Sequence, residues 1–126
     1  MKKVMVSACL MGHKCKHNGE IEHMRRAVKQ AGKTARLVPI CPEIWSGFGC
    51  PRKPLRRKKG ALLMEIRPGQ LKDVTRTLHK GRGRVMGLAK CMGIDSFILR
   101  KDSPTCGRRG LLGARLIESN AEIMFL

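Results

Sequence analysis

Lys3-Val4-Met5-Val6-Ser7-Ala8-Cys9-Leu10-Met11-Gly12 is the stretch on which the fold turns. Lys3–Ser7 is a short apolar run rich in valine, the pattern of a buried strand, and a cysteine follows almost at once. The pattern returns at Arg36–Ile40 and Ser96–Leu99, with weaker strand candidates at Leu62–Ile66 and Glu122–Phe125. Helical periodicity fills the gaps. Ile21, Met24, Ala27, Val28 and Ala31 share one face, with Asn18 as a cap before them and Gly32 after. Leu71, Val74, Leu78, Val85, Leu88 and Met92 share another, ending at Gly93. Gly81, Gly83 and Gly87 weaken that second helix, each by up to about 1 kcal/mol relative to alanine.

Alternation of strand and helix predicts βαβ units. The expected fold is a single small α/β domain over residues 1–126, with a mostly parallel, Rossmann-like sheet and helices on both faces. In such a sheet the carboxyl ends of the strands share one edge, and ligands bind there. Cys9 comes just after the first strand and Cys41 directly after the second, in Pro39-Ile40-Cys41-Pro42-Glu43. Cys106 follows the third by a short loop, Lys101-Asp102-Ser103-Pro104-Thr105-Cys106-Gly107. Three cysteines distant in sequence are thereby predicted at one rim. Gly12, Pro42, Pro104 and Gly107 beside them suit tight turns that bring backbone amides close to sulfur. The plainer alternative, a small buried hydrophobe, is the better assignment for Cys91 inside the second helix.

The chain carries 27 Lys and Arg against 9 Asp and Glu, with the densest run at Arg52, Lys53, Arg56, Arg57, Lys58 and Lys59. This run reads as a loop. A domain so basic meets polyanions, nucleic acid first among them, so these six cations are the predicted nucleic-acid-binding residues. The plainer alternative is a solvated charged loop. Aromatic residues are scarce, which argues against a base-stacking platform and for contacts through phosphate. No apolar run can span a bilayer or serve as a signal peptide, so a cytoplasmic location is expected. There, six cysteines are not a disulfide framework. No Cys-x-x-Cys pair occurs, which excludes the common zinc-finger spacings.

Ser7-Ala8-Cys9-Leu10-Met11-Gly12, Cys41-Pro42-Glu43, Pro51-Arg52-Lys53-Pro54 and Ser103-Pro104-Thr105-Cys106-Gly107 resemble, in this order and across nearly the whole chain, the motifs of the thiouracil/thiouridine desulfidase family. That family was long catalogued only as a domain of unknown function. The resemblance implies a [4Fe-4S] cluster on Cys9, Cys41 and Cys106, with one iron left open to bind the sulfur of a thiolated pyrimidine. It places Glu43 and Ser103 in the catalytic positions. The substrates it implies are 2-thiouracil, 4-thiouracil, or thiouridine in nucleotides or tRNA. The chain departs from the family at Lys16-His17-Asn18-Gly19, where members commonly carry Arg-Tyr-Asp-Gly.

The residue types suit those roles. Three protein ligands and an open position form the pattern of a catalytic metal site. Glu43, the only carboxylate between residues 23 and 64, is a general base for the attacking water; the alternative is a partner for nearby arginines. Ser103 is a water-orienting or proton-relaying hydroxyl, or an ordinary turn hydroxyl. Cys15 and Cys50 are possible further sulfurs. A fourth ligand would close the cluster and favour the rival reading, a non-catalytic RNA-binding module with a structural iron–sulfur or zinc site.

Overall fold

The computed structural model describes all 126 residues. Lys2–Ser7 (β1) pairs in parallel with Ala35–Ile40 (β2) on one side and with Ser96–Leu99 (β6) on the other. Glu122–Phe125 (β7) adds to β6, giving a four-stranded parallel sheet in the order β2-β1-β6-β7. The fold class is as expected. Successive side chains of β1 point to opposite faces and divide between two cores. Met5 joins Phe97, Leu99, Val85, Ala89, Leu112 and Leu116, beneath helices Thr75–Met92 (α3) and Leu111–Glu118 (α4). Val4 and Val6 join Leu10, Ile98 and Val28 of helix Arg26–Thr34 (α1) on the other face. Met5 and Val6 are fully buried, each contributing about 1.5–3 kcal/mol. Both faces of the first strand are therefore filled, and its carboxyl end is held rigidly.

The cationic run is not a loop. Leu55–Lys58 (β3), Ala61–Arg67 (β4) and Gln70–Asp73 (β5) form a separate antiparallel sheet. Lys59 and Gly60, at φ 50° and 80°, make the two-residue turn between β3 and β4; positive φ at both positions is what such a hairpin needs. Leu62 and Met64 of β4 pack with Val74 and Leu78, which seats this sheet on α3. Leu62–Ile66 thus lies in a strand, but outside the parallel sheet.

Two helix starts move inward from their expected places. α1 begins at Arg26 rather than near Ile21, which is exposed. Gly32 lies inside α1 instead of ending it. Leu71 belongs to β5, opposite Glu65 of β4. Backbone pairing to β4 wins there over helical periodicity. α3 tolerates Gly81 for a packing reason: a Cβ there would collide with Ser46 Oγ and the Pro42 carbonyl. These belong to the short helix Pro42–Trp45 (α2) and its C-cap, so the missing side chain sets how closely α3 backs the segment bearing Glu43. No helix is long and apolar enough to cross a membrane.

Candidate functional site

The carboxyl ends of β1, β2 and β6 lie side by side and open into one cavity. Ser7 ends β1, and a short 3-10 turn, Ala8–Met11, carries Cys9; Gly12 closes it at φ 85°. Cys41 caps α2, its Sγ accepting from the Ile44 amide at 3.5 Å. Pro42 at the first helical position needs no N–H partner, and Glu43 follows in the same turn. After β6 the chain runs through Arg100–Gly110 to α4. Ser103 organises this loop: its Oγ accepts from the amides of Thr105 (3.1 Å) and Cys106 (3.0 Å).

The cavity has a volume of about 270 Å³, and Cys9, Cys15, Cys41, Cys106, Glu43, Arg52, Arg100 and Ser103 are among its lining residues. That is near the low end for small-molecule pockets. Four of the six cysteines face it. Cys15, which the sequence left without an assignment, has its thiol within reach of hydrogen bonding to Cys9 or Cys41.

Those bonds polarise the sulfurs. Hydrogen bonding from Cys15, aided by Arg100 and working against burial, lowers Cys9 to about 6. Cys41 falls to about 7 for the same first cause, with the Ile44 amide and Arg52 assisting against burial. Cys15, as the donor, is pushed well up. Cys106 is pushed up to about 12, chiefly by burial. Arg100 Nη1 lies 4.0 Å from Cys9 Sγ and is held by an ion pair with Glu22.

Glu43 is buried, with a partner on each carboxylate oxygen. Arg52 approaches Oε1 with Nε at 2.9 Å and Nη2 at 2.7 Å. The Thr105 hydroxyl donates to Oε2 at 3.0 Å. Ser103 Oγ lies 3.0 Å from Thr105 Oγ1. Because the Thr105 proton is committed to Glu43, Ser103 must be the donor of that pair. The result is an ordered relay, Ser103 to Thr105 to Glu43.

The donor set suits an iron–sulfur cluster. Several soft thiols, two with lowered pKa values, surround one cavity with an arginine and an amide aimed at sulfur, the kind of hydrogen bonding that tunes clusters. No three His, Cys, Asp or Glu side chains come together closely enough to share a single metal ion. A polynuclear cluster asks for something different, since its protein ligands sit on separate irons.

The chain matches the family described as 2-thiouracil desulfurase over residues 4–121. It belongs to that family. A relative, the uncharacterized protein YbbK of Bacillus subtilis (strain 168), is 31% identical over 114 residues, covering 82% of this chain and 72% of that protein. Among solved structures, one described as the [4Fe-4S]-dependent thiouracil desulfidase TudS superposes with a TM-score of 0.85 at 25% identity. That match covers 99% of this chain and 91% of the other.

In this desulfurase-family chain, Cys9, Cys41, Cys106, Glu43 and Ser103 all line the one cavity. The cationic run divides. Arg52 is corrected: its side chain is 7% exposed and bound to Glu43, which removes it from any polyanion surface. The plainer alternative for Glu43, an arginine partner, thus holds alongside its place in the cavity. Lys53, Arg56, Arg57, Lys58 and Lys59 are exposed. Cys50 is turned away, donating to the Lys16 carbonyl at 3.0 Å, and Cys91 is exposed rather than buried. Thr105 and Arg100 were missed from sequence. The hydroxyl next to Cys106 was a visible signal for the first; nothing marked the second.

Proposed function

We propose that residues 1–126 form a [4Fe-4S]-dependent desulfidase that converts the thiocarbonyl of a pyrimidine to a carbonyl, with Cys9, Cys41 and Cys106 holding the cluster. The overall reaction is thiocarbonyl plus water to carbonyl plus hydrogen sulfide, so no electron donor is needed. When bound, the cluster supplies an iron free of protein sulfur, a Lewis acid for the substrate sulfur. Family membership and the likeness to TudS support this reading. The observation that carries it is the meeting of the cysteines and the Ser103–Thr105–Glu43 relay in one cavity.

The protein's own groups handle the proton. Glu43 accepts it from the attacking water. Arg52 holds the carboxylate in place through Oε1, leaving Oε2 as the working oxygen. Thr105 passes protons between Oε2 and Ser103, whose hydroxyl can serve a ring nitrogen or the departing sulfur. The cavity, about 270 Å³, has room for such a base. Free thiouracil, thiolated nucleotide and thiouridine in tRNA all present that base, and the excess of cations favours the charged substrates.

The test is anaerobic purification, iron and sulfide counts, and a thiocarbonyl-absorbance assay on 2-thiouracil, 4-thiouracil and a thiouridine nucleotide. Replacing Cys9, Cys41 or Cys106 by Ser should abolish the cluster. Glu43→Gln should keep it and lose about 10²–10⁴-fold in turnover. A fully loaded protein that consumes no thiolated pyrimidine overturns the proposal. Cys15 at the cavity favours the rival, in which four sulfurs close the cluster and the protein binds RNA without catalysis. Cys15→Ser should then destroy the cluster, whereas the desulfidase reading expects the cluster to survive.

A further inference from the structure

Beside the cavity lies an open groove of about 650 Å³, whose single apolar lining residue is Leu55. Arg57 reaches it from β3, and Lys101, Arg108 and Arg109 reach it from the loop that carries Ser103 and Cys106. Asp102 is its only acid, and none of the four cations forms an ion pair. Groove and cavity share one wall, Asp102-Ser103-Pro104. Two cations are held in place by uncharged groups. Arg57 donates to the Pro104 carbonyl at 3.3 Å, and the Arg108 guanidinium stacks 4.7 Å from the centre of the Phe125 ring.

We propose that this groove binds the phosphate backbone of a single-stranded polynucleotide whose thiolated base occupies the cavity. A phosphate monoester carries a charge of about −1.5 to −2 at neutral pH, which two cations neutralise; four unpaired cations call for more than one phosphate. With a base in the cavity, the sugar and backbone of a strand continue past it, and the shared wall gives them the groove on the other side. Enzymes acting on a base in a strand draw it out of the stack in this way. Specificity for a strand would come from phosphate contacts alone, since no aromatic side chain lines the groove.

The assignment of the base to the cavity rests on the desulfidase reading; the binding of the strand does not. The test therefore uses a fluorescein-labelled oligouridylate without sulfur, bound to the holoprotein and followed by anisotropy from low to high salt. Each phosphate neutralised on a single strand contributes a log–log slope of about −0.7. Changing Lys101, Arg108 and Arg109 together to Gln should flatten the slope by about 2 and weaken binding more than tenfold at low salt. The pair Lys101→Gln and Arg109→Gln, which leaves the Arg108 stack intact, should flatten it by about 1.4. A control with Lys29, Lys33 and Lys90 changed to Gln should match the parent. Uridine 5′-monophosphate should displace the strand only at concentrations at least a hundredfold above those of unlabelled oligouridylate. Slopes alike in the groove variants and the control overturn the proposal. Equal competition by the mononucleotide also overturns it, reducing the groove to a site for one phosphate. Intact strand binding in a protein that desulfurises nothing would count against the desulfidase reading and not against the groove.

Discussion

Arg52 brings Nε and Nη2 to the same oxygen of Glu43, at 2.9 and 2.7 Å, and leaves the other oxygen to Thr105 at 3.0 Å. One carboxylate oxygen is thus held by a guanidinium and the other by a hydroxyl. The pair is nearly sealed from water, with side chains 7% and 10% exposed.

Removing one member of such a pair leaves a buried charge. Arg52→Met should destabilise the protein by about 3–5 kcal/mol in urea unfolding. Adding Glu43→Gln should restore much of that, since the remaining charge is then gone. A loss below about 1 kcal/mol for the single variant would show the pair to be solvated in solution.

Thr105 is the middle of the relay. Thr105→Val keeps the shape and removes the hydroxyl, so the cluster spectrum should be unchanged while turnover falls roughly 10–100-fold, less than the loss of a base itself. Thr105→Ser should recover most of it. Full activity in the valine variant would remove the relay from the mechanism.

Gly81 and Gly83 sit two residues apart in α3 with opposite surroundings. Gly81→Ala would drive a methyl into Ser46 and the Pro42 carbonyl, whereas a Cβ at Gly83 meets nothing. The first should destabilise by about 1–3 kcal/mol and shift α2, lowering turnover through Glu43. The second should stabilise by up to about 1 kcal/mol. Thermal midpoints moving in the same direction would contradict this packing.

Glu22 gives a pH dependence. Burial alone would raise its pKa, but the hydrogen bond and charge of Arg100 outweigh this and hold it below the ordinary 4.5. A carboxyl depressed in the folded state stabilises above its unfolded value, and the contribution is lost as pH falls through the folded one. Glu22→Gln should therefore lower stability at pH 7 and flatten the decline below about 4.5. Parallel unfolding curves against pH for variant and parent would refute it.

The parallel sheet was legible because its strands are buried on both faces: Val4-Met5-Val6 and Phe97-Ile98-Leu99 are unbroken apolar runs. The convergence of the three cysteines followed from topology alone. β3 was hidden because Arg56, Arg57 and Lys58 face solvent, so its only apolar signal is Leu55. β5 was hidden because all four of its residues are exposed. Arg52 was misassigned since a charge run gives no sign of which member turns inward. The groove cations Lys101, Arg108 and Arg109 stand alone in sequence and meet Arg57 only through the fold.

The place of β1 has a consequence for the order of assembly. The first strand made becomes an inner one, taking β2 on one side and β6 on the other, with Met5 opposite both Val38 and Phe97. Cys9 and Cys41 come together with the first pairing, whereas Cys106 waits on a contact spanning most of the chain, a slow kind of closure. During synthesis Cys9 and Cys41 therefore stand together, with Cys15 between them, before Cys106 has reached the cavity. With the proposed ligand set, a complete cluster site exists only after β6 has docked, so folding itself would time the loading of iron.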